Sequence, residues 1–180
     1  MAKNSIDPLA LIQNDQDDLF QEGIALLEEK GNLSQLKELV RIYVGEASPS
    51  RRTALHALLS SITKKGIREA WMDLLTEIQN PKERQQVIQI LWNTRLDFSP
   101  YLVAFVHWAF EGDYQNTLES LTVIEQMEGP FLEEQLLEAQ CLIQEHIRQN
   151  KQEGEQKQRL LDDLSLWVSQ MIDRNDLLMD

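Results

Sequence analysis

Five prolines each follow a residue suited to opening a helix: Asp7-Pro8, Ser48-Pro49, Asn80-Pro81, Ser99-Pro100 and Gly129-Pro130. Proline loses no hydrogen bond at the first helical position, because that N–H has no intrahelical partner, and a preceding Asp, Ser or Asn accepts from the next free amides. All five therefore predict helix starts, and Asn80 with Glu83 has the spacing of a capping box. Gly31, Gly45, Gly66, Gly112 and Gly129 follow apolar-periodic segments, where a left-handed residue ends a helix; Gly23 and Gly154 lack that setting. These marks predict helices over 18–30, 33–45, 49–65, 67–79, 81–95, 100–111, 114–128, 130–149 and 157–173, with a turn near 8–14.

Apolar spacing supports the same division. Leu132, Leu136, Ala139, Ile143 and Ile147 advance by three or four residues, as do Leu160, Leu164, Trp167 and Met171, so each set lies on one helical stripe. No sustained strand alternation occurs, and the expected fold class is all-α. With 180 residues and 42% hydrophobic content, folding removes about 70% of the extended surface from water. That excludes the disordered, collagen-like and disulfide-stapled classes.

Internal repetition distinguishes a bundle from a stack. Pro49-Ser50-Arg51-Arg52 aligns with Pro81-Lys82-Glu83-Arg84 at a shift of 32, placing Leu55, Leu58 and Leu59 over Val87, Ile90 and Leu91. Leu39-Val40 corresponds to Leu74-Leu75 and then to Phe105-Val106, at shifts of 35 and 31, and Leu118 and Leu121 continue the second series. A helix, turn, helix, turn unit thus recurs about three times from residue 33 to 128.

On these residues the chain resembles the HEAT and armadillo-like family, in which the second helix of a pair often opens with a proline or acidic residue and then an arginine. Arg52 and Arg84 hold that arginine-like place. The third unit lacks the arginine, and there is no Asp-x-x-Val-Arg signature. Tetratricopeptide repeats match the period, but their residue pattern is absent. The resemblance implies a short right-handed α-solenoid of antiparallel helix pairs, about nine helices in all, serving as a curved protein-binding scaffold. The expected organisation is one domain over 1–180: capping helices in 1–32, repeats in 33–128, and further capping helices in 129–180 with a polar break near 150–157. The last helix is expected to pack back as a cap, or else to dimerise, since Trp167, Val168, Met171, Ile172, Leu177, Leu178 and Met179 would otherwise be exposed.

Catalytic and metal-binding patterns are missing from the sequence. His56, His107 and His146 are far apart, and neither Glu-x-x-His nor HExxH occurs. There is no Gly-x-Ser-x-Gly elbow, no phosphate-cradling glycine loop, and one thiol cannot build a zinc-thiolate site or a disulfide. Cys141, beside Leu137, Leu142 and Ile143, is expected to be a small core residue. The Asn14–Asp18 cluster lacks the glycine and glutamate of a calcium loop and reads as a capped, acidic helix start. The expectation is a non-enzymatic protein without cofactor or metal.

Charge singles out one segment of an otherwise acidic chain. The net charge is −13, yet residues 51–100 carry +3 through Arg51, Arg52, Lys64, Lys65, Arg68, Lys82, Arg84 and Arg95. Lys64 and Lys65, at a predicted helix end, suit the negative end of the helix dipole. Arg52 and Arg84, at equivalent places in successive repeats, predict a ladder for an acidic partner, flanked by Arg51 and Arg68. Phe98, Tyr101, Phe105 and Trp108 share one helical face, which fills a core or anchors a partner helix, with Tyr101 and Trp108 as the anchors.

Nucleic acid is a poor partner for this charge balance, and no apolar run reaches the roughly 18 residues of a membrane span. The first 18 residues show no secretory leader pattern, and a cytoplasmic location is expected. The leading functional expectation is a protein-interaction scaffold or adaptor that binds an acidic or helical segment. Two others stand beside it: a ligand-binding or enzymatic protein with an inter-helix pocket near Trp71, Trp92 and Trp108, and self-assembly through contact of the basic middle with the acidic 111–145 region.

Overall fold

In a computed structural model that describes residues 7–149 and 153–179, with side chains through residue 175, ten α-helices and two single-turn 3₁₀ segments form an all-α protein. No strand occurs among the described residues. The expected polar break at 150–157 lies partly outside them, and so do the side chains of Leu177, Leu178 and Met179. The chain divides into two compact units, Met1–Glu77 and Ile78–Asp180.

The N-terminal unit contains α1 (Pro8–Ile12), α2 (Asp17–Lys30), α3 (Leu36–Gly45), α4 (Pro49–Ser60) and α5 (Ile67–Glu77). Pro8 opens α1 as expected, and the Asp7 carboxylate accepts from the Leu9 N–H at 3.0 Å. α1 packs on α2, and α4 packs on both α2 and α3, around buried Phe20, Leu27, Leu39, Tyr43, Leu55, Leu59 and Trp71. Gly23 lies where α1 crosses α2. A Cβ there would come within 2.7 Å of Ile12 Cγ2 and 3.0 Å of the Ile12 nitrogen, so the absence of a side chain permits the crossing.

In the C-terminal unit, α6 (Pro81–Leu91), α7 (Leu102–Phe110), α8 (Tyr114–Glu125), α9 (Glu133–Arg148) and α10 (Glu155–Met179) surround an aromatic core. α7 packs against α8 and α9, and α10 packs against α8 and α9. The Phe98, Phe105 and Trp108 stripe is that core. Phe105 meets Phe98 and Trp108 edge to face at 5.7 and 5.1 Å, the arrangement ring quadrupoles prefer. The Asp97 carboxylate accepts from the Ser99 and Glu128 N–H groups, and Ser99 Oγ accepts from the Gly129 N–H at 2.8 Å, tying the segments on either side of α7 and α8.

Several local expectations need correction. Pro130 does not open a helix. The backbone there is held by Ser99, and α9 starts only at Glu133, where the Gln135 side chain accepts from the Leu132 N–H and donates to the Pro100 carbonyl. Asn80 caps the Lys82 N–H; the reciprocal bond expected of Glu83 occurs instead at Asn32, whose N–H donates to Gln35 Oε1. Gly66, Gly112 and Gly129 have positive φ, but Gly31 and Gly45 do not. After α6 the left-handed residue is Arg95, at φ 57°, where no glycine marks the stop. Cys141 is exposed, because α9 turns Leu136, Ala139, Ile143 and His146 inward, and Ile147 is exposed with it.

The glycine contacts generate a paired test. Gly23→Ala gains about 1 kcal/mol of helix propensity but overpacks the α1 crossing at a cost of about 1–3 kcal/mol, so thermal melting should show a net loss. Gly45→Ala, whose Cβ would meet nothing within 4 Å, should instead raise stability by about 0.5–1 kcal/mol.

Candidate functional site

α4 stops at Ser60, five residues before the sequence-based end. The Ser60 and Ser61 hydroxyls turn back to donate to the His56 and Leu58 carbonyls at 2.8 Å each, the side-chain competition that disfavours helix continuation. Lys64 and Lys65 therefore do not complement the C-terminal end of α4. They lie in the turn that leads into α5, where the Ile67 N–H donates to the Lys64 carbonyl and the Ala70 N–H to that of Gly66. The positive end of the α5 dipole reinforces these cations instead of offsetting them.

Beside this turn a cleft of about 130 Å³ opens in the N-terminal unit. Buried Leu27, Leu39 and Leu58 with half-buried Ile62 form its floor, and exposed Glu28, Asn32, Ser61, Thr63 and Lys64 form its rim. The stretch from Ala47 to Arg68 carries five Lys or Arg residues and no carboxylate. An apolar side chain in the cleft would thus have positive charge on one side of it.

The arginines singled out by sequence have different surroundings. Arg51 is held inside the N-terminal unit with its side chain 13% exposed. It donates to Asp17 and to the Asn14 and Asp15 carbonyls at 2.7–3.0 Å, and its guanidinium covers the Phe20 ring. This contact accounts for the acidic cluster at the α2 start, whose cap position is Gln16 without a side-chain cap bond. Arg52 lies over the Tyr43 ring at 5.3 Å. Arg68, 37% exposed, pairs with Glu69 at 2.9 Å.

Arg84 belongs to the core of the C-terminal unit, its side chain 8% exposed. It bonds Glu111 and the Ile78 carbonyl, and its guanidinium lies 5.4 Å from the Trp108 ring centroid. Trp108 is buried, while Tyr101 is half-buried in the 3₁₀ turn before α7. Glu119 and Lys157, also buried in this unit, are engaged as well. Glu119 accepts from Trp92 Nε1 and Gln115 Nε2, and Lys157 donates to the Phe110 and Gly112 carbonyls while pairing with Glu153. His146 stacks on Phe110 at 4.3 Å with Glu153 3.3 Å away, His107 is exposed, and His56 leans on Tyr43. Among the described residues no group of three His, Cys, Asp or Glu side chains could hold a metal ion.

Arg84 and Trp108, prominent in the sequence, thus turn inward, and Lys64 and Lys65 are not dipole partners of α4. The signal for the cleft was the serine pair before Ile62, which shortens α4 and moves the lysines into a turn.

Two outcomes follow from these contacts. Arg84→Ala leaves Glu111 and the Ile78 carbonyl without their cation and should destabilise the protein by about 3 kcal/mol in urea titrations, with Arg84→Met losing less because it keeps the packing over Trp108. The Glu69 carboxyl is held below its ordinary range, first by its own backbone N–H and then by Arg68. Its folded form binds protons less readily than the unfolded chain, so its contribution is complete at neutral pH and is lost as pH falls through the lowered value. The gap in urea midpoint between wild type and Glu69→Gln should be widest at neutral pH and narrow as the solution is acidified below the ordinary carboxylate range.

No helix among the described residues is long and apolar enough to cross a membrane. No protein-family model, curated protein or solved structure matches the chain, so its resemblance to helical repeats rests on its own residues.

Proposed function

We propose that this protein is a non-enzymatic interaction scaffold that binds an acidic, helical segment of a protein partner. The observation that carries this reading is the cleft of the N-terminal unit, with a leucine-lined floor, exposed Lys64 on its rim and exposed Lys65 next to it in the chain. A helix that places one apolar side chain in the cleft and its acidic neighbours towards Lys64, Lys65 and Arg68 would match both features. Hydrophobic burial supplies affinity there, and the charges supply orientation and association rate.

The scaffold itself is a short HEAT-like stack of helix pairs in this reading. Helix starts recur with the expected period: α3, α5 and α7 begin at 36, 67 and 102, and α4, α6 and α8 at 49, 81 and 114. Within each unit, helices one period apart touch, α2 with α4 and α6 with α8, as stacked repeats do. Arg52 and Arg68 remain partner contacts in this reading. Arg84 and Trp108 serve the packing of their own unit, so reversing Arg84 would unfold the protein rather than test binding.

Lys64→Glu with Lys65→Glu, both at exposed positions, is the informative change. Immobilised protein should retain a partner from cell extract at moderate salt, and the double reversal should lose it by ~10-fold or more while helicity and melting temperature stay unchanged. Equal retention by the reversed protein would remove the cleft from the interaction.

A further inference from the structure

The exposed face of α9 carries the features that the cleft calls for. Glu134, Leu137, Glu138, Cys141 and Glu145 are spaced on one helical stripe, and all are exposed, Leu137 by 45%. Around them the charge is of one sign: residues 96–147 hold ten carboxylates and no Lys or Arg. The two compact units accordingly differ, the N-terminal one at −3 and the C-terminal one at −10. Glu145 is partly engaged by Arg148 at 3.3 Å, which leaves Glu134 and Glu138, flanking Leu137, as the acidic end of the stripe.

We infer that the partner is a second copy of this chain, with α9 of one copy lying across the Lys64 cleft of the other. Leu137 enters between Leu39, Leu58 and Ile62, and Glu134 and Glu138 face Lys64 and Lys65. Glu28 shares the cleft rim, so the acidic stripe meets the cleft from the Lys64–Arg68 side. The inference rests on the cleft reading above and adds the identity of the occupant. Charge complementarity selects it: one chain holds both a carboxylate-free basic stretch with an apolar opening and a lysine-free acidic stretch with an exposed leucine. The contact is heterologous, joining unlike surfaces, so it either closes in a ring or pair or continues head to tail.

Net charge of −13 makes two copies repel at long range, whereas the contact itself pairs opposite charges. At ~0.1 M salt the screening length is ~10 Å, which suppresses the long-range term more than the contact, and at ~1 M the contact weakens as well. One helix across one cleft is a small interface, and association in the upper micromolar range is expected.

Sedimentation of the full chain from ~10 to ~500 µM at ~0.1 M salt tests this. The weight-average mass should rise from 20.9 kDa towards twice that value or beyond, and fall back at ~1 M salt. Lys64→Glu/Lys65→Glu and Glu134→Lys/Glu138→Lys should each abolish the rise with unchanged melting. An equimolar mixture of the two should restore it, because each reversed surface then meets its complement. Leu137→Ser should also abolish it, and alkylation of Cys141, the chain's single cysteine, should slow at high concentration. A wild-type mass that stays at 20.9 kDa, a mixture that does not associate, or Cys141 alkylation that is unchanged in the associated state overturns the inference. If self-association fails while partner capture still depends on Lys64 and Lys65, only the identity of the occupant is wrong. If both fail, the cleft reading falls with it.

Discussion

Short connections between helices leave carbonyl groups without helical partners, and satisfying them organises much of this protein. Three cations with little exposure do so in the same way. Arg51 bonds the Asn14 and Asp15 carbonyls with Asp17, Arg84 bonds the Ile78 carbonyl with Glu111, and Lys157 bonds the Phe110 and Gly112 carbonyls with Glu153. Each side chain neutralises one carboxylate and satisfies a turn, so the cost of burying its charge is offset by several bonds at once. Two of the three guanidinium or ammonium groups, those of Arg51 and Arg84, also cover aromatic rings. Removing any of them exposes a set of unmet polar groups, not a single contact.

This use of cations in the interior changes the meaning of the surface charge. Arg51 and Arg84 look in the sequence like members of a basic patch, but a carboxylate of its own unit pairs with each. Among the cations that stay exposed, Lys64 and Lys65 stand just before the N-terminal end of α5 and next to the leucine-floored cleft. The Lys64 and Lys65 cations in a chain of net charge −13 are a local feature, and the surrounding negative potential confines their effect to contact distance. The acidic stripe of α9 is its counterpart in residue type, charge and exposed apolar content.

Much of the helical layout was legible in the sequence. Proline fixes φ and caps are local, so Pro8, Pro49 and Pro81 give helix starts at the expected residues. The expected stripes are met in part: α9 buries Leu136, Ala139 and Ile143 but exposes Leu132 and Ile147, and α10 buries Leu164 with Leu161 and Val168 while Leu160, Trp167 and Met171 are half-buried. The errors share a cause. Pro130 is overruled by the bonds that Ser99 and Asp97 make across some thirty residues, and Cys141 faces outward because α9 has a narrower buried stripe than its composition suggests. Gly23, which fits no local role, is explained only by the approach of Ile12.

By itself the sequence determined the all-α class, the sites of most helix boundaries and the separation of basic from acidic stretches, because these depend on dihedral preference, periodicity and composition within a few residues. Only the tertiary structure decided which cations act inward and which outward. A guanidinium reads the same in sequence whether it is hydrated or bonded to carbonyls of a distant turn, and its role is set by which carboxylates and rings folding brings within reach.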